Sequence, residues 1–141
     1  MKIDHDFILV RNVDINEGFS TGTITKAALF FTKGYMFVVP FESITVLGYN
    51  VKQSSNSVDA LLTDMIPLLQ EQNVEDFEQQ MIEKIPAERV YPIADLETFS
   101  VGIGWWIFGG ITIKKKGGSR QTINVQPKAV RQQISQFYAL T

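Results

Sequence analysis

The chain contains no cysteine. That excludes disulfides, thiolate nucleophiles and cysteine-ligated metal centres. Histidine occurs once, at His5 between Asp4 and Asp6, and a lone imidazole in a terminus prone to fraying is a poor metal ligand or general base. There is no Ser-His-Asp set, no phosphate-cradling glycine loop and no metal-spaced cluster. No catalytic residue, metal or cofactor is therefore expected, and the chain reads as non-enzymatic. Carboxylate catalysis alone stays open, although the acids fall mainly on helical faces where solvent exposure is expected. A long apolar run is lacking too. The longest, residues 99–113, is broken by four glycines and falls short of the ~20 residues that a spanning helix needs. The start, Met1-Lys2-Ile3-Asp4-His5-Asp6, is too acidic for a signal peptide. The expectation is a soluble, cytoplasmic protein.

What is present suits one domain over residues 1–141. Hydrophobic residues make up 45% and charged residues 20%, enough apolar content for a real core. The net charge of −2 hides a segregation. Residues 57–88 hold eight acids against Lys84 alone, a net of −7, while the remainder carries twelve basic and seven acidic residues, a net of +5. An acidic lobe would repel phosphates, which argues against a nucleic-acid partner. It is compatible with head-to-tail association, or simply with a solvated helical face.

The most legible stretch is the carboxyl-terminal one. Ile111 and Ile113 alternate with Thr112 and Lys114, Gly117-Gly118 interrupts, and Ile123 and Val125 resume the alternation. This is a hairpin signal. A two-residue turn would scramble the apolar face. An odd, three-residue loop Gly117-Gly118-Ser119 keeps it, pairing Ile113 with Ile123 and Ile111 with Val125. Gln126-Pro127 stops the second strand, and the proline suits the first turn of a helix. Val130, Ile134, Phe137 and Tyr138 then form one apolar stripe, with Arg131, Gln132, Ser135 and Gln136 mostly off it. A helix of roughly 13 residues is marginal alone, so it must pack on the sheet it has just left.

Upstream, residues 7–13 read as a first strand, Asn16-Glu17-Gly18 as a turn, and residues 23–32 and 35–39 as a hairpin closed by Lys33-Gly34. Pro40 ends it, and residues 44–47 read as the start of another strand. After a polar linker at 52–57 the period lengthens to about 3.6. Val58, Leu61, Leu62, Met65, Ile66 and Leu69 form one helical stripe capped by Ser57, with a kink or early break expected at Pro67. Asn73 caps a second helix carrying Phe77, Met81, Ile82 and Ile85. The pair is a helical insertion at 57–88, laid on the sheet or on a partner. Residues 90–103 return to strand, with Phe99, Val101 and Ile103 alternating with Ser100, Gly102 and Gly104. The bare glycine face would admit a close neighbour.

The hairpin Leu29-Phe30-Phe31-Thr32-Lys33-Gly34-Tyr35-Met36-Phe37-Val38, the following Pro40-Phe41-Glu42-Ser43-Ile44, the stretch Tyr91-Pro92-Ile93-Ala94-Asp95-Leu96-Glu97 and the closing strand–strand–helix resemble bacterial pleckstrin-homology-like and GRAM-like domains. The resemblance covers roughly residues 23–49 and 90–140. It implies a mainly β, α+β fold: a strongly bent antiparallel sheet or barrel capped by a C-terminal helix. The insertion at 57–88 is not part of that common core. The tryptophan typical of the terminal helix in eukaryotic members is missing, leaving Phe137 in its place. The basic cluster that reads phosphoinositides in some members has no counterpart, so inositol-lipid binding is not carried over.

Two clusters stand out as candidate sites. Trp105, Trp106 and Phe108, bracketed by glycines, cannot all face one side of a strand. They form either an exposed tip for a partner or for self-association, or a bulged strand buried on both faces. In the hairpin register above, Lys114, Lys116 and Arg120 project together, with Lys116 opposite Arg120. Like charges so placed suit an anionic partner or a guarded, solvated edge. Three functions follow. The first is a binding or scaffolding domain that self-associates or docks a protein partner. The second is peripheral attachment to anionic membrane surfaces. The third is a small-molecule or enzymatic cleft between the sheet and the inserted helices.

Overall fold

A computed structural model describes residues 1–16, 23–47, 57–103 and 110–140. Among these residues seven strands form one antiparallel sheet: β1 (Ile8–Asn16), β2 (Ile24–Phe31), β3 (Tyr35–Pro40), β4 (Val90–Pro92), β5 (Leu96–Val101), β6 (Gly110–Lys115) and β7 (Gln121–Asn124). Their order across the sheet is β4-β3-β2-β1-β7-β6-β5. Between β3 and β4 the chain inserts α1 (Val58–Gln70) and α2 (Val74–Lys84), and it closes with α3 (Lys128–Phe137).

The strand order forces curvature. β4 and β5 are the two opposite edges, yet only the 3₁₀ turn Ile93–Asp95 joins them. Edges of a flat sheet of this width would lie about 29 Å apart, whereas the chain from Pro92 to Leu96 reaches at most about 15 Å. The sheet must curl, and side chains bridge its two halves accordingly. Lys115 of β6 places its Nζ 4.5 Å from the ring centroid of Tyr91 in β4. Tyr138, just past α3, packs edge-on against both Phe31 of β2 and Phe99 of β5.

Alternation along β2 and β3 builds two cores. Leu29, Phe31, Met36 and Val38 face the concave side, where they join Ile111, Ile113, Ile123, Val125 and Ile134 of α3. Ala28, Phe30, Phe37 and Val39 face the other side, where Leu62, Met65, Leu69, Phe77 and Met81 of the inserted helices cover them. The insertion therefore lies on the sheet itself. β1 keeps its apolar side chains inward across an irregular step. Ile8 and Val10 are followed by Val13 and Ile15, and the odd spacing is absorbed by a register shift between Val10 and Val13. Arg11 inside that shift reaches α1, where its Nη1 donates to the Asp59 carboxylate at 2.9 Å and to Thr63 Oγ1 at 2.7 Å.

The helix caps are those read from the sequence. Ser57 Oγ accepts from the Ala60 amide and Asn73 Oδ1 from the Asp76 amide. Three local readings are corrected, and a fourth is narrowed. Residues 44–47 belong to a 3₁₀ helix, Phe41–Leu47, not to a strand; Ile44 and Leu47 are both buried, at the spacing of three that a 3₁₀ turn stacks. Of the kink or early break expected at Pro67, the break does not occur, since α1 continues to Gln70. Residues 90–103 are two strands separated by the Ile93–Asp95 turn. The β6–β7 register is shifted by two residues, pairing Ile111 with Ile123 and Ile113 with Gln121. An even shift preserves facing, so Ile111, Ile113, Ile123 and Val125 stay inward. Gly117 takes the positive φ of 75° that the tight turn requires.

Candidate functional site

The curl leaves a seam. Among the described residues β4 and β5 do not pair with each other, and a groove of about 560 Å³ opens beside them, under the end of α2. Its apolar lining comes from Ile82 of α2, Val90 and Pro92 of β4, and Leu96 of β5. Lys115, Lys116 and Asp95 supply its charge. Ile82 is there because of helical geometry. Phe77, Met81 and Ile85 repeat at intervals of four and are buried. Ile82 is turned about 100° beyond Met81 and remains 40% exposed. Lys115 is half-buried, tied down over Tyr91 and by a 3.4 Å hydrogen bond to the Ala87 carbonyl.

The lysines and arginine singled out in the sequence are held differently from one another. Lys114 is half-buried and bridges to Glu97 at 3.1 Å across the β5–β6 pair. Lys116 and Arg120 are exposed near the hairpin end. Continuing the observed register sets Lys114, not Lys116, opposite Arg120. Trp105, Trp106 and Phe108 lie outside the described residues. His5 Nδ1 sits 2.8 Å from Asp6 Oδ1. The Lys2 amide, and then His5, hold the half-buried Asp6 carboxyl below its ordinary value. No group of three metal-ligating side chains occurs among the described residues.

Two polar constellations were not visible in the sequence. Arg131, on the supposed outer side of α3, is only 3% exposed. It donates through Nε to the Gly102 carbonyl at 2.7 Å, and through Nη1 to the Val125 carbonyl at 2.7 Å and to Gln126 Oε1 at 3.0 Å. It thus ties the ends of β5 and β7 to the helix. The second constellation centres on the buried Thr32 at the β2–β3 turn. Thr32 Oγ1 donates to the Glu78 carboxylate of α2 and accepts from the Tyr35 amide, while its carbonyl accepts from the Tyr138 hydroxyl. Burial, and then the charge of Glu78, push the Tyr138 phenol well above its ordinary value. Both constellations join separate elements and act as braces. Compared with protein-family models, curated proteins and solved structures, the chain matches none.

Proposed function

We propose that the chain is a non-catalytic docking domain of pleckstrin-homology-like architecture that binds a protein partner or a second copy of itself. The observation that carries this reading is the seam groove, where an apolar strip left open by helix and sheet is flanked by Lys115 of β6, by Lys116 just beyond it and by the acidic α2. Exposed apolar positions framed by charge are a mark of protein contact surfaces. A curled seven-stranded sheet closed by a terminal helix supports the architectural likeness. Light scattering on the intact chain tests the self-associating form: a mass that rises above that of a monomer by high micromolar concentration is expected, and a constant monomer mass opposes it.

A second reading rests on Lys116 and Arg120, which are exposed at one hairpin end beside Gly117 and Gly118. Their charge would meet an anionic membrane surface. Co-sedimentation with acidic liposomes at low salt tests it, and protein left in the supernatant opposes it. A ligand cleft between the sheet and the inserted helices gains no support. Leu62 and Phe77 are fully buried there, and Phe77 meets the rings of Phe7, Phe30 and Phe37.

A further inference from the structure

We infer that the occupant of the seam groove is the same groove of a second copy, in a two-fold dimer centred on Ile82; this rests on the self-associating form of the reading above. The patch carries its own complement. On one flank, the outer side of α2 presents Glu75, Gln79 and Glu83, all exposed. Gln79 Nε2 donates to Glu83 Oε1 at 3.1 Å and leaves that carboxylate a second oxygen. On the other flank stands Lys116, exposed and at the groove. Ile82, three residues beyond Gln79 and next to Glu83 on α2, shares the groove lining with Lys116. A two-fold rotation about such a strip sets acid against base twice and brings each Ile82 against the Ile82 of the second copy, with Pro92 and Leu96 walling the contact. Asp95, also at the groove, offers the incoming Lys116 another carboxylate.

A foreign partner would have to bring a matching sequence, whereas a second copy already has both flanks. The contact is small, so the dimer is expected to be weak, with a dissociation constant on the order of 10–100 μM. Salt should weaken it further, because the Glu83–Lys116 contacts lie at an exposed rim.

Sedimentation velocity on the full chain, from low to high micromolar concentration, tests the assignment with four variants at exposed positions. Ile82→Asp places a charge in the centre and should weaken dimerisation by about tenfold or more. Glu83→Lys and Lys116→Glu should each weaken it several-fold. The combined Glu83→Lys/Lys116→Glu chain should recover most of the loss, since both contacts are rebuilt with the signs exchanged. Circular dichroism checks that each variant is folded. If the wild-type chain associates but Ile82→Asp and the charge reversals leave the association constant unchanged, this interface is wrong and self-association through another surface stands. If the wild-type chain stays monomeric throughout, the interface and the self-associating reading fall together.

Discussion

At the scale of single residues, the two braces decide more than the exposed charges do. Arg131 satisfies three oxygens at once from a buried position. Arg131→Ala would strand those acceptors and is expected to cost about 3 kcal/mol in urea unfolding. Arg131→Lys should recover only part of that, because one ammonium cannot span the fork. Tyr138 gives stability a dependence on alkaline pH. Its phenol keeps its proton in the folded state above the ordinary value of 10.0, whereas the unfolded chain releases it near pH 10. The unfolded state therefore binds fewer protons above that pH, and stability falls as pH rises past about 10, being fully present below it. Urea midpoints measured from pH 8 to 11 should show this fall, and Tyr138→Phe should flatten it while keeping the ring contacts with Phe31 and Phe99. These residues were the least legible in the sequence. An arginine on an amphipathic helix reads as exposed, and its acceptors come from chain segments that sequence spacing does not place near it.

At the scale of elements, legibility followed periodicity and capping chemistry. Asn73 and Ser57 stand where short polar side chains satisfy the first free amides, and both helices begin there. The β6–β7 hairpin kept its parity because facing depends only on odd against even, while its register moved by two residues because the turn centres on Gly117, which has the positive φ, and not on Gly118. Residues 44–47, which suggest the start of a strand, are instead the end of the 3₁₀ helix Phe41–Leu47, and an apolar run so short does not separate the two. Ile134 illustrates the element whose role was foreseen. It is fully buried against the sheet, and Ile134→Ala is expected to cost about 2–5 kcal/mol. A thermal melt unchanged within error would contradict that packing. Ile82 shows the opposite case: counted with the buried stripe, it is turned off it by one residue's worth of helical rotation.

At the scale of the whole molecule, β2 and β3 are sandwiched, and their two faces depend on different partners. The concave face is closed by α3 and the far strands, and the convex face by the α1–α2 pair. Replacing residues 57–85 by a short polar linker should therefore expose Phe30, Phe37 and Val39 together. Such a chain is expected to bind a hydrophobic dye and elute as aggregate in gel filtration; a well-behaved monomer would show that the helices are dispensable. Hydrogen exchange on the intact protein should protect the β2–β3 amides most strongly, as the centre of both cores.

The turn Ile93–Asp95 works on the whole sheet like the clasp of a bracelet. Its brevity, rather than any side chain, is what keeps the two rims of the sheet within reach of each other. A spacer of ten or more flexible residues let into that clasp would give enough slack for the rims to part (about 3.3–3.6 Å for each added residue). The groove at the seam would then widen into an ordinary open border, and whatever binds there would lose the second wall it leans on.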